Sequence, residues 1–358
     1  QHLPVIAGIH GGRLTKRHVE VAGRPYAPQR LSSDDPAYPK AVRVIDAAIQ
    51  LLHEHRCSAM LTDLQPLRQL DSAGQLTLDW TDYDRIVTSA LDGSAFEDRI
   101  APQAWPMPVD DRDPSPDLYG GWGSSAYGKM LNEYLRQCAA HFRQQGWLDR
   151  HFVWIPLPTD GLTGSPYSQF TWLGGTIARA DRDLSLVCGL PAQPMKAFGA
   201  VEDHYQDLAS WVGVWAPPAS VADSDALAAA RKAGKRAWLQ PDRPPYSGSL
   251  SFIAPPVHAR SLAWQAYRLG CSALFLPQVT AWPDEGSVSE PASAGVLLWP
   301  GKPYGLEAPV PSIRLKRILR GVQDYEYLWL LERNQRPAVA ELLSADLFAF
   351  GGTGCFGE

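Results

Sequence analysis

Short apolar runs alternate along the chain with longer stretches in which apolar residues recur every three or four positions. The runs read as strands buried on both faces and the stretches as amphipathic helices. Val5–Ile9 opens the series and ends in His10-Gly11-Gly12. A helix over 40–53 follows, with Val44, Ile45, Ala48, Leu51 and Leu52 near helical spacing. Strand two is expected over 58–61, ending at Asp63, and the next helix carries Trp80, Tyr83, Ile86, Val87 and Leu91. Strand three is expected over 100–105, followed by a long Pro-, Gly- and Asp-containing loop over 106–127 and a helix burying Leu131, Tyr134, Leu135, Cys138 and Phe142. Strand four is read at 152–155, strand five at 184–188, strand six at Val212–Trp215, strand seven at Arg236–Leu239 and strand eight at Ala273–Leu276. Helices over 226–233 and 259–269 end at Gly234 and Gly270, residues suited to a helix C-terminus. A last helix spans 312–332, and 333–358 is read as a C-terminal tail.

Eight strand–helix alternations predict an α/β fold, a single (β/α)8 TIM-type barrel over 1–358, because parallel strands need helical crossovers. An open doubly wound sheet is the rival. No G-x-G-x-x-G follows the first strand, so a dinucleotide site has no support and no cofactor is expected.

Composition narrows the function. With 45% hydrophobic and 20% charged residues the chain is globular, and a formal net charge of −5 offers no basic field for nucleic acid. No apolar run is long enough for a membrane span. The chain starts at Gln1, as a processed secretory signal or a trimmed chain would, and the expectation is a secreted or periplasmic location. The 5 cysteines form no C-x-x-C pair, so no metal site is expected. The 13 tryptophans are mostly packing residues, but an aromatic ring also stacks on the apolar face of a pyranose.

The C-terminal stretch reads Pro311-Ser312-Ile313-Arg314-Leu315, Arg320-Gly321, then Asp324-Tyr325-Glu326-Tyr327-Leu328. Upstream stand Gly146-Trp147-Leu148-Asp149-Arg150, Trp215-Ala216-Pro217-Pro218, Arg243-Pro244-Pro245-Tyr246, Arg260 with Trp264-Gln265-Ala266, and Leu298-Trp299-Pro300-Gly301. In this order the segments resemble the catalytic domain of glycoside hydrolase family 123. For the closing helix, the favoured reading is that its Arg and acidic residues tie it to the barrel.

The resemblance implies action on N-acetylhexosaminides. The sugar's own acetamide oxygen attacks the anomeric carbon, an Asp at the end of strand four orients the acetamide, and the adjacent Glu protonates the leaving oxygen. Here Pro156-Leu157 stands over that Asp-Glu pair, with Pro158 over the following Pro. Strand eight also departs, reading Pro277-Gln278-Val279-Thr280 before Trp282.

Carboxylates elsewhere at strand ends are the replacements to consider: Asp160 first, Asp242 next, and also Asp63, Asp110, Asp111, Asp284 and Glu285. A loop Asp is more often a turn former or helix cap. Substrate-binding candidates are His10, Trp154, Trp215, Trp238, Gln240, Tyr246, Gln278 and Trp282, while His204 reads as a solvated helix start. A carbohydrate is the expected partner. Two functions stand: a hydrolase with relocated acids, or a catalytically inactive carbohydrate-binding or scaffolding barrel in a surface polysaccharide or protein assembly.

Overall fold

The computed structural model describes residues 3–9, 16–17, 20–21, 24–25, 29–30, 35–62, 64–110, 114–156, 166–192, 205–242, 248–280 and 295–347. Eight parallel strands run through them: β1 (Val5–Ile9), β2 (Cys57–Leu61), β3 (Trp105–Pro106), β4 (His151–Phe152), β5 (Leu186–Cys188), β6 (Val212–Trp215), β7 (Arg236–Leu239) and β8 (Ala273–Leu276). Ladder pairing runs β5-β6-β7-β8-β1-β2, and β3 pairs with β4. A parallel bridge between Val153 and Leu186 joins β4 to β5, with the Val187 amide donating to the Val153 carbonyl at 2.8 Å. β2 lies alongside β3, so the eight strands form one ring.

The ring is filled rather than hollow. Phe152 of β4 meets Trp238 of β7 and Phe275 of β8 edge-on, at centroid distances of 5.3 and 5.8 Å. Trp238 and Phe275 are 5.5 Å apart. Strands four and eight are not neighbours, so rings that touch across them must occupy the barrel interior. Near-complete burial of these rings and of β1 and β8 explains why the strands read as continuous apolar runs.

Eight helices follow the strands: α1 (Tyr38–Glu54), α2 (Thr81–Leu91), α3 (Ser125–Gln144), α4 (Pro166–Ala180), α5 (Tyr205–Trp211), α6 (Ser224–Lys232), α7 (Val257–Arg268) and α8 (Ile313–Arg333). The residues expected on the buried face of α3 are all buried. α8 is the closing helix, and its sequence pattern is explained by how it docks. Ser312 caps it by accepting from the Leu315 amide at 3.2 Å. Arg314 donates to the Ser251 carbonyl at 3.1 Å. Asp324 receives Arg260 Nε and Nη2 at 2.6 and 2.8 Å and Trp264 Nε1 at 2.9 Å, all from α7. Glu326 receives Arg56, just past the end of α1, at 2.7 Å. α8 is thus bonded to the helices on both sides of it.

Several expectations shift. Strand three is not 100–105: Ile100 is 56% exposed, and the chain pairs only at Trp105–Pro106. Strand four begins at His151 and its ladder ends at Phe152, with Val153 adding the single bridge. The segment 333–358 is not all tail, because Pro337–Leu347 forms a further helix, α9, against α8 and α7. A hairpin of Leu67–Leu70 and Leu76–Asp79 between β2 and α2 was not expected; Leu76 and Leu78 bury while Leu67 and Leu70 face solvent.

Two stability outcomes follow. A methyl group at Gly321 would overlap the Arg260 carbonyl and press on the Ala263 methyl at 3.3 Å. Gly321→Ala should therefore cost about 1–3 kcal/mol by overpacking, despite alanine's better helix propensity; an unchanged urea midpoint would refute it. His151, buried at the base of β4, accepts the Ser185 amide on Nε2 at 3.1 Å and gives its Nδ1 proton to the Leu148 carbonyl. Burial pushes its imidazole below the ordinary value, so as pH falls the unfolded chain takes up a proton, near pH 6.5, before the folded ring does. Its contribution is present above that pH and is lost as pH falls through it. The drop in urea midpoint between pH 7 and pH 5 should be smaller in His151→Leu.

Candidate functional site

Parallel strands all end on one side, so the segments that leave β1 to β8 converge on one mouth. β4 delivers Trp154, half-buried, whose ring stands edge-on to Phe275 at 5.5 Å. The tryptophan therefore sits directly on the aromatic plug that fills the barrel. Pro156, also half-buried, follows it. β7 delivers Gln240, whose Nε2 donates to the Ala216 carbonyl at 2.5 Å and whose amide donates to the Pro217 carbonyl at 3.0 Å. Its side chain links the ends of β6 and β7. Asp242 accepts the Ser220 amide at 2.6 Å and bridges Ser249, so its carboxylate holds the β6 loop to the β7 loop. Gln278 is exposed at the end of β8, next to Val279, whose amide donates to the Gly8 carbonyl at 2.8 Å.

Trp215 and Trp238 are 1% and 3% exposed. Their ring faces are taken by neighbouring side chains, so here they support the mouth rather than line it. His10, Asp160, Tyr246 and Trp282 lie outside the described residues, as do Asp63, Asp111, His204, Asp284 and Glu285. Of the described candidates, Trp154, Gln240, Asp242, Gln278 and Asp110 stand just past the ends of β4, β7, β8 and β3.

Two groupings were not expected from sequence. Gln65, fully buried four residues past β2, donates its Nε2 to Asp110 Oδ2 at 2.7 Å, four residues past β3. The signal was a lone amide inside the apolar run Leu64-Gln65-Pro66-Leu67 at a strand end. Trp122, Tyr127 and Trp172 cluster with ring centroids 5.5 to 5.8 Å apart, joining the loop after β3 to α4. Among the described residues no group of three or more His, Cys, Asp or Glu could hold a metal ion. The free thiols Cys57, Cys188 and Cys271 are pushed by burial up to about 12, which makes them inert core residues. No described helix is long and apolar enough to cross a membrane.

The glycoside hydrolase 123 catalytic domain matches residues 67–331 of the chain. Among curated proteins, none matches. Similar solved structures include an endo-1,4-beta-mannanase from Rhizomucor miehei, at 11% identity and a TM-score of 0.42, with 73% of this chain and 88% of that one covered. A GH10 xylanase from Thermobacillus composti shows 12% identity and a TM-score of 0.41, covering 78% and 94%. The GH53 catalytic domain from Ignisphaera aggregans shows 12% identity and a TM-score of 0.43, covering 88% and 95%.

The two described aromatic roles separate by mutation. Trp238→Ala, in the middle of the plug, should cost about 3–5 kcal/mol of stability. Trp154→Ala removes a ring that is only half-buried and should cost markedly less. Equal losses in chemical denaturation would show that Trp154 is core like Trp238.

Proposed function

The chain belongs to the glycoside hydrolase 123 catalytic-domain family, and from that premise we propose that its barrel mouth binds a glycan containing N-acetylhexosamine without running the family's acetamide-assisted hydrolysis. The observation that carries this reading is the end of strand four. Pro156 follows Trp154 and Ile155 there, and Leu157 comes next, where the resemblance expects Asp and Glu. Neither side chain can hold an acetamide by hydrogen bonds or give a proton to a leaving oxygen. Loss of a general acid alone costs about 10²- to 10⁴-fold in rate, and the orienting carboxylate acts with it as a unit. Trp154, half-buried and packed edge-on against Phe275, supports binding, since an indole fixed on a solid core is a rigid partner for the apolar face of a pyranose.

The family match supports a second reading, hydrolysis with a relocated acid. Asp160 is its first candidate, being the next carboxylate after Pro156, with Gly161 and Gly164 beside it. Asp242 is its second, although its carboxylate already accepts the Ser220 amide.

Release of the leaving group from an activated N-acetylgalactosaminide distinguishes the readings, measured with the native protein and Asp160→Asn alongside glycan-array binding. The expected outcome is array binding with no detectable turnover. Turnover abolished by Asp160→Asn would overturn the inactive reading and establish the relocated acid. Turnover indifferent to that change would overturn both the inactive reading and the choice of Asp160.

A further inference from the structure

Gln65 is a primary amide with no exposure to solvent, and it spends a donor on a half-buried carboxylate rather than on a backbone carbonyl of the core. The Asp110 end of this bond is unusually well fixed. Tyr134, fully buried on α3, gives its hydroxyl proton to the Pro108 carbonyl at 2.6 Å. The Met107 amide donates to the Phe152 carbonyl at 2.7 Å, and the Val109 amide folds back to the Met107 carbonyl at 2.7 Å. The chain leading up to Asp110 is thus held at residues 107–109, and its carboxylate is held by Gln65. The neighbouring strand end is that of β4, which carries Trp154.

We propose that Asp110 is the carboxylate that receives hydroxyl groups of the sugar bound at the mouth, and that Gln65 is its positioning residue. This rests on the glycan-binding reading above and names the group that would recognise the sugar. Carboxylate oxygens are hydrogen-bond acceptors, so the role given to Asp110 is to accept hydrogen bonds donated by the sugar's hydroxyl groups. A carboxylate already positioned by a hydrogen bond loses little further freedom on binding, which is what makes a preorganised site selective. Hydrogen bonds to a charged partner contribute about 1.5–3 kcal/mol, or roughly 10- to 150-fold in affinity.

The rival account is that the pair only staples β2 to β3, where no ladder bond joins the strands among the described residues. Asp110→Asn separates the two, because an asparagine oxygen still accepts from Gln65 while the charge is gone. The probes are methyl N-acetyl-β-galactosaminide and its 3-, 4- and 6-deoxy analogues, titrated calorimetrically against the native protein, Asp110→Asn and Gln65→Met. In the native protein at least one deoxy analogue should bind about 10-fold or more weakly than the parent. That discrimination should vanish in Asp110→Asn and shrink in Gln65→Met, with Asp110→Asn keeping its melting temperature. Native discrimination retained in Asp110→Asn would overturn the proposal and leave the staple. Should Asp110→Asn fail to fold, Gln65→Met decides, and unchanged discrimination there overturns the proposal. A native protein that binds the parent glycoside with no preference among the analogues refutes the Asp110 assignment alone. A native protein that binds none of them refutes the glycan reading and the assignment with it.

Discussion

Phe152, Trp238 and Phe275 meet at the axis of the barrel, and much else in the molecule follows from that contact. β3 and β4 contribute only two residues each to ladder pairing. Backbone hydrogen bonds alone are too few on that side to fix the ring. Aromatic packing across it supplies the missing cohesion, since each large ring buries much apolar area and edge-on pairs add a further preference of geometry. Trp154 then inherits its position from the plug beneath it rather than from a strand.

The ring of helices is closed by a different kind of contact. α7 and α8 approach closely enough at Gly321 that no side chain fits, and Asp324 gathers Arg260 and Trp264 in the same turn region. Such a bidentate arginine–carboxylate pair fixes direction as well as distance. The polar residues that make the C-terminal pattern so recognisable are therefore architectural. The pattern identifies the family through its scaffold. A fold and a reaction are separable properties, so a scaffold pattern of this kind leaves the chemistry at the barrel mouth to be argued from the residues there.

The same division decides what was legible in the sequence. β1, β6, β7 and β8 could be bounded to the residue because each is an apolar run bracketed by polar or turn residues. β3 could not, because Ile100 is apolar yet exposed, and a two-residue strand leaves no period to detect. That the Arg and acidic residues of the closing helix tie it to the barrel was readable from their spacing, but the partners Arg260, Trp264 and Arg56 were not, because they lie far away in sequence. Trp215 and Trp238 were indistinguishable from Trp154 by sequence, since all three lie in or beside strands and only packing separates them. Gln65 and Asp110 are far apart in sequence, and only closure of the ring brings them together.

β1 lies between β8 and β2, with Val5 beside Leu274 on one side and Cys57 on the other. Gly8 has no side chain because the Pro277 carbonyl crosses close above it. Among the eight barrel strands β1 is made first, so its β2 edge can be covered early while its β8 edge must wait until the other seven strands exist. A pairing of such long sequence separation is slow to form, because the intervening chain must first be ordered. In the meantime β1 is an unpaired apolar edge, the kind of surface that invites mispairing. Among the barrel strands the first to be made is therefore the last to be covered on both edges, so a chain cut short before β8 carries an open and adhesive sheet edge.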